Sequence, residues 1–222
     1  MRTDVGVTRR RVLQAAGLAA TLGTAGVVGC SNTEGSDADD DNLGFAGIVL
    51  GYPLARPVAE FVDTAGERYN VSERTAGQLT LMLFGYTSCP DVCPVHLSVI
   101  SNALEKVSGP AGKPTVIMVG CDTARDTPEV LRTYLDKRNE DFVGLTADAT
   151  VIDDVLEGLQ LPPIVIEPPA EDGSYVVGHP SQILAYTPDD LCHILYPFGV
   201  RAADWLQDLP RLQTFDWPVT TR

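Results

Sequence analysis

The chain has 222 residues, of which 44% are hydrophobic, and a formal net charge of −14 at pH 7 from 30 acidic and 16 basic side chains. This excess of carboxylates repels the phosphates of DNA and RNA, so we expect no nucleic-acid partner. The length and the hydrophobic content are sufficient for one domain with a core of its own.

Residues 1–29 have the features of an export signal. Arg9, Arg10 and Arg11 precede 18 residues that contain no Lys or Arg, and this weakly apolar run ends at Cys30. Paired arginines before a Gly/Ala-rich run are typical of a twin-arginine signal, and the letters GVVGC are typical of a lipoprotein signal. A plain membrane anchor is the alternative, but six Gly or Thr residues make the run a poor spanning helix. We predict cleavage before Cys30, lipidation of that cysteine, and a location on the outer face of the cytoplasmic membrane.

The next segment, 30–51, is predicted to be a flexible acidic tether. Positions 31–44 hold five acidic residues and no large apolar side chain before Leu43, so they cannot build a core. Loss of residues 1–29 would remove four arginines and one aspartate, which moves the net charge from −14 to −17. The folded domain is predicted to span 52–222.

From residue 52 onward, strand and helix patterns alternate. Strands are predicted where apolar residues alternate with polar ones or form short continuous runs, and helices where apolar residues recur every three to four positions. In chain order the segments are a strand at 57–66, a strand at 78–86, a helix at 92–107, a strand at 113–122, a helix at 127–139, a strand at 142–148, a helix at 150–161, a strand pair within 173–190 and a helix at 201–212. This order predicts an α/β fold with a central sheet and helices on both faces.

Two cysteines lie at the junction of the second predicted strand and the first predicted helix. In the letters GYTSCPDVCP, Cys89 follows the strand and Cys93 lies in the first turn of the helix. The carboxyl ends of parallel strands are where α/β sheets bind ligands, and the amides of a helix N-terminus favour thiolates. The spacing allows a disulfide or a site for one soft metal ion. On spacing alone, a purely structural disulfide in an exported protein explains the pair equally well.

Three motifs resemble the Sco/SenC family. They are FGYTSCPDVCP at 84–94, CDTARDTPEVLRTYL at 121–135 and YVVGHPSQILAY at 175–186, and the resemblance extends from about residue 52 to residue 214. It implies a thioredoxin-like fold with a central mixed sheet flanked by helices. It also implies a membrane-anchored protein that binds copper, as Cu(I) or Cu(II), and assists assembly of the CuA centre of cytochrome c oxidase.

The resemblance further implies three copper ligands, which are Cys89, Cys93 and His179, and the apo cytochrome c oxidase copper-binding subunit as the partner. Two thiolates suit Cu(I) and an added imidazole can also accommodate Cu(II), whereas a structural zinc site normally has four ligands. Where the family usually has Asp-His-Ser, this chain has Gly178-His179-Pro180, so an acidic neighbour that could orient the imidazole is missing. Gly178 is predicted to leave room for a close backbone approach.

The remaining cysteines and histidines of the domain are predicted to lie outside the metal site. Cys121 stands where the family more often has an apolar residue, and it follows a strand at the same edge as the cysteine pair; a small buried side chain is the favoured interpretation over a fourth ligand. His96, on the helix that begins at the pair, is predicted to be exposed rather than part of the site. Cys192 and His193 are adjacent, and such neighbours rarely converge on one metal.

The sequence leaves two functions open. In the first, the protein is a copper chaperone for the oxidase. In the second, it is a membrane-anchored thiol–disulfide reductase that cycles Cys89 and Cys93 to keep the cysteines of its target reduced. A peroxidase is a third, weaker alternative. Copper binding needs His179 and dithiol exchange does not, so this histidine distinguishes the first two functions. We do not expect a classical enzyme, and thiol–disulfide exchange is the one enzymatic activity that the cysteine pair allows.

Overall fold

The structure, a computed structural model, describes residues 42–107 and 113–218. The predicted signal segment, Cys30 and all but the last ten residues of the predicted tether lie outside these ranges. Within the described ranges, none of the helices combines the length and the hydrophobicity needed to cross a membrane.

The described residues form ten strands and five helices. The strands are β1 (Ile48–Ala55), β2 (Glu60–Asp63), β3 (Arg68–Asn70), β4 (Thr80–Gly85), β5 (Thr115–Gly120), β6 (Val143–Thr146), β7 (Val165–Ile166), β8 (Val177–Gly178), β9 (Ile183–Tyr186) and β10 (Leu191–Tyr196). The helices are α1 (Val71–Arg74), α2 (Val92–Leu104), α3 (Pro128–Asp136), α4 (Ala149–Gly158) and α5 (Ala202–Leu212).

Eight strands form one mixed sheet in the order β1-β10-β9-β4-β5-β6-β2-β3, and β7 pairs with β8 in a separate two-stranded sheet. Strands β4, β5 and β6 run parallel, while the other neighbouring pairs run antiparallel. Gly85 at the end of β4 pairs with Gly120 at the end of β5, so the two loops that follow these strands leave the same edge of the sheet.

Apolar clusters cover both faces of the sheet. On β4, Leu81 and Leu83 belong to the cluster that also contains buried residues of α2, α3 and α5. Met82 and Phe84, which point the other way, belong to the cluster that contains buried residues of α4. A strand buried on both faces reads as a continuous apolar run, and this is why the sequence identified β4. The predicted α/β fold with a central mixed sheet flanked by helices is confirmed.

Local sequence also sets where α3 begins. The Thr127 side chain accepts a hydrogen bond from the Val130 amide, and Pro128 occupies the first helical position, where no amide donor is needed. A Thr-Pro pair is a typical helix start, and it fixes the beginning of α3 here.

The structure differs from the sequence prediction at two places. The first is the start of the domain, because β1 pairs with β10 from Ile48 onward and Phe45 is only 5% exposed, so the fold begins before residue 52. The pairing that orders this segment is with a strand about 150 residues away, which no local pattern reveals. The second is the strand pair within 173–190, since β8 pairs with β7, while β9 lies between β4 and β10.

Candidate metal centre

The cysteine pair lies at the edge of the sheet where β4 ends. Cys89 belongs to the short loop between β4 and α2, where its amide donates to the Tyr86 carbonyl at 3.1 Å. Cys93 is the second residue of α2. Cys93 is buried and Cys89 is partly exposed, and both thiols are free. The sequence prediction therefore placed both residues correctly, one in the loop and one in the first helical turn.

A glycine makes room for the buried thiol. A Cβ atom on Gly85 would lie 2.7 Å from the Cys93 Sγ atom, which is closer than such atoms approach in proteins. The glycine in the letters FGYTSC thus permits α2 to bring Cys93 against the end of β4.

His179 reaches the pair from the small second sheet. It directly follows β8, and its Nε2 atom lies 3.5 Å from the Cys93 Sγ atom. Its Nδ1 atom lies 2.9 Å from the Pro180 carbonyl oxygen, to which Nδ1–H donates, so Nε2 is the ring nitrogen left to bind a metal. The Tyr86 ring contacts the imidazole edge-on, with ring centroids 5.6 Å apart. The backbone carbonyl thus orients the ring in the absence of an acidic neighbour.

The three side chains together form a donor group of the size that one metal ion requires. One ligand atom from each of Cys89, Cys93 and His179 lies within 4.8 Å of the other two. Two donors bound to the same ion at about 2.0–2.3 Å stand at most about 4.6 Å apart, so only a small closure is needed. Two sulfurs and one imidazole nitrogen are a soft donor set that suits copper.

Burial dominates the electrostatics of the site. It raises the pKa of the Cys93 thiol well above its ordinary value, and the neighbouring Cys89 sulfur raises it further. A hydrogen bond with the Tyr86 backbone lowers this pKa, but by less than burial raises it. The direction is thus opposite to the thiolate stabilisation expected from a helix N-terminus, because burial disfavours the charged form. A metal ion bound at Cys93 must therefore displace a proton.

The second motif connects the segment before β8 to the main sheet. The Arg125 guanidinium lies 3.6 Å from the centroid of the Tyr175 ring, and it pairs with the Asp122 carboxylate. The Tyr175 hydroxyl donates to the same carboxylate at 2.9 Å. Asp126 accepts hydrogen bonds from the amide and the hydroxyl of Thr87, in the loop that carries Cys89. These contacts bring the loop after β5 against both parts of the donor group.

The other candidate residues lie outside the donor group. Cys121 is 3% exposed, within the apolar cluster that contains Met82 and Phe84, as predicted for a small buried side chain. Cys192 is fully buried, and His193 contacts Asp189 and stacks on Trp217, so both are structural as predicted.

The prediction that His96 is exposed is wrong. This side chain is only 5% exposed, and its Nε2 atom lies 2.9 Å from the Ser181 carbonyl oxygen. Its position three residues after Cys93 was the available signal, because residues i and i+3 of a helix share one side. The prediction for Gly178 is also wrong, since a Cβ atom there would meet Val165 at an ordinary 3.5 Å.

Comparison with known sequences identifies the family. The family described as SCO1/SenC matches residues 57–213. The chain belongs to this family. Protein sco1 of Schizosaccharomyces pombe is 30% identical over 166 residues, which are 73% of this chain and 60% of that protein. A SCO2-like protein of Rickettsia prowazekii is 34% identical over 122 residues, 55% of this chain and 59% of that protein. The chain spans about three fifths of the length of these relatives.

Solved structures of Sco proteins share the fold. Bradyrhizobium japonicum ScoI with copper bound is 29% identical and has a TM-score of 0.59, with 73% of this chain and 99% of that chain covered. Apo Sco1 from Thermus thermophilus is 26% identical and has a TM-score of 0.65, with 76% of this chain and 96% of that chain covered. These similarities confirm the thioredoxin-like fold that the resemblance implied.

Proposed function

We propose that this SCO1/SenC protein is a copper metallochaperone that assists maturation of the CuA site of cytochrome c oxidase. In this proposal Cys89, Cys93 and His179 hold the copper ion, and the receiving partner is the apo copper-binding subunit of the oxidase. The observation that carries the proposal is the convergence of three ligand atoms within 4.8 Å at the carboxyl-end edge of the sheet. The copper-bound ScoI of Bradyrhizobium japonicum supports the choice of metal.

The donor set suits a cargo that is accepted and released in two oxidation states. Two thiolates hold Cu(I) in linear or trigonal geometry, and the imidazole supplies the nitrogen donor that Cu(II) prefers. Cys89 is partly exposed, whereas Cys93 is buried. A thiolate of the partner can therefore approach the ion from the side of Cys89, and ligand exchange can begin there.

Thiol–disulfide reduction is the alternative that the partly exposed Cys89 supports. In that reaction the Cys89 thiolate attacks a disulfide of the target and releases one target thiolate. The Cys93 thiolate then attacks the mixed disulfide, so that the target leaves as a dithiol and a Cys89–Cys93 disulfide remains. The copper proposal is preferred because this exchange leaves the close approach of His179 to Cys93, 3.5 Å, without a role.

The cellular location is a proposal that rests on the sequence. Export through a twin-arginine signal and lipidation of Cys30 would hold the domain on the outer face of the cytoplasmic membrane, linked by the acidic segment that follows Cys30. Membrane fractionation of the wild-type protein beside Cys30→Ala would test this part. The variant should appear in the soluble fraction, and membrane retention of the variant would contradict the lipid anchor.

A copper titration beside an insulin-reduction assay tests the main proposal. The reduced protein should bind one copper ion per chain tightly and should reduce insulin slowly or not at all. Efficient insulin reduction without tight copper binding would reject the chaperone function in favour of the reductase.

A further inference from the structure

His96 connects the element that carries Cys93 to the segment that carries His179. It lies one helical turn after Cys93 on α2, and it is 5% exposed. A carbonyl oxygen only accepts hydrogen bonds, so the Nε2–H group of His96 donates to the Ser181 carbonyl at 2.9 Å. The Phe198 ring packs edge-on against the same imidazole, with centroids 5.3 Å apart.

The bonded carbonyl is two residues beyond the proposed ligand. Between them stands Pro180, whose ring fixes its own φ angle and whose carbonyl accepts from Nδ1 of His179. Rotation of the backbone at Ser181 would therefore be transmitted to Pro180 and to the imidazole that it orients. A donor on α2 that fixes the Ser181 carbonyl limits this rotation.

We propose that His96 is a positioning residue that sets the orientation of His179 relative to the two thiols. It acts through the Ser181 carbonyl and does not touch the metal. This inference rests on the proposed copper function, since an oriented His179 matters only if His179 is a ligand. It predicts that Cu(II) binding needs the hydrogen-bond donor of His96, and that a side chain of the same size without a donor does not restore binding.

Three substitutions separate the donor from the bulk. His96→Leu has a side chain of similar size but no hydrogen-bond donor. His96→Gln retains an N–H donor at nearly the distance of Nε2 from the backbone, whereas the donor of His96→Asn is too short to reach the carbonyl. His193→Leu is the matched control, because His193 is likewise buried, at 6% exposed, and hydrogen-bonded, but it contacts Asp189 and Trp217 instead.

Cu(II) binding by the full reduced chain is measured with visible absorption and electron paramagnetic resonance spectroscopy. Cu(I) affinity is measured in parallel. Loss of outer-shell partners of metal ligands lowers affinity by about 10- to 100-fold. We expect His96→Leu and His96→Asn to lose Cu(II) affinity in this range and to change the Cu(II) spectrum. His96→Gln should restore both, and Cu(I) affinity should stay within about twofold because two thiolates suffice for Cu(I).

Three results would overturn the inference. The first is a wild-type Cu(II) spectrum and affinity in His96→Leu, or in His96→Asn if the leucine variant does not fold. The second is an equal loss in His193→Leu, which would indicate general destabilisation. The third is failure of His96→Gln to restore the signal. Failure of the proposed function is distinguishable, because wild-type protein would then lack tight copper or His179→Ala would leave the Cu(II) spectrum unchanged.

Discussion

Two regions of the molecule contain a cysteine close in sequence to a histidine, and only one of them forms a donor group. On α2, Cys93 and His96 are three residues apart on one side of a helix, and both face the His179 segment. On β10, Cys192 and His193 are adjacent. Cys192 belongs to the cluster on one face of the sheet, whereas the His193 ring stacks on Trp217, which belongs to the other cluster. Residue type is thus a weaker guide to metal chemistry than the geometry of the element that carries the residue.

The position of each element in the sheet reinforces this contrast. Helix α2 follows β4 at the edge where parallel strands end, and His179 approaches its first turn at that edge. Strand β10 lies between β1 and β9, and its side chains are enclosed by the two apolar clusters. A cysteine within such a strand packs as a small apolar side chain, and a metal ion cannot reach its sulfur.

The largest expected effect is the loss of copper binding when a thiol of the donor group is removed, compared with removal of the Cys192 thiol on β10. Cys93→Ala should abolish tight copper binding, and so should Cys89→Ala, because either leaves one soft donor. Cys192→Ala should keep wild-type copper affinity and lower the free energy of unfolding by about 1 kcal/mol, the cost of a small cavity. Isothermal titration with Cu(I) and chemical denaturation would measure the two quantities. Tight stoichiometric copper in Cys89→Ala or Cys93→Ala would contradict the site.

Removing the imidazole should have the second-largest effect. His179→Ala should lower Cu(II) affinity by at least about 100-fold, since loss of a mere outer-shell partner already costs about 10- to 100-fold. Cu(I) affinity should fall much less, and the Cys89–Cys93 redox cycle should survive, because neither depends on the imidazole. Copper spectra and a thiol redox titration on this variant would check the expectation, with oxidase assembly as the cellular measurement. Unchanged Cu(II) spectra and assembly, with only the cysteine variants failing, would favour the reductase function.

The sequence predicted the parallel strands, the four longest helices and the three members of the donor group. These features depend on local patterns or on a specific motif such as GYTSCPDVCP. It did not predict the strand that begins at Ile48, because the partner of that strand is distant in the chain. It also gave the wrong environment for His96, since burial of a polar side chain depends on a loop that comes 85 residues later. Contacts between distant segments depend on how the whole chain packs, so they cannot be predicted from the sequence of one segment.

Copper affinity should depend on pH. Burial raises the pKa of the Cys93 thiol, so this group is protonated at neutral pH and an incoming ion must displace its proton. Apparent affinity should therefore rise with pH, by about tenfold per pH unit for each proton released, until pH exceeds the raised pKa. Competition titrations with a Cu(I) chelator between about pH 7 and pH 10 would measure the slope, because an ordinary thiol stops releasing a proton above its pKa of about 8.5 and a thiol with a raised pKa does not. Cys192→Ala is the control that should keep the wild-type slope. A profile that becomes flat above about pH 9 would mean that Cys93 has an ordinary thiol pKa and would contradict the effect of burial.

The smallest expected effect distinguishes two glycines, one beside each half of the donor group. Gly85→Ala would place a Cβ atom 2.7 Å from the Cys93 Sγ atom, at the end of the central strand. Such overpacking costs about 1–3 kcal/mol, and the displaced thiol should lower Cu(I) affinity by about tenfold. Gly178→Ala would place a Cβ atom 3.5 Å from Val165, an ordinary contact, so stability and affinity should remain close to wild type.

Measuring both variants by thermal unfolding and Cu(I) titration makes the pair its own control, because the same methyl group is added on either side of the metal centre. Gly178 directly precedes a proposed ligand, whereas Gly85 is four residues before Cys89 and eight before Cys93, so sequence distance alone predicts that Gly178→Ala is the more harmful change. The structure predicts the reverse order, since the free volume around each Cα atom, and not its distance along the chain, decides whether a methyl group fits. A larger loss of copper affinity in Gly178→Ala than in Gly85→Ala would contradict this order. It would show that the backbone next to His179 accepts an added methyl group less well than its contacts indicate.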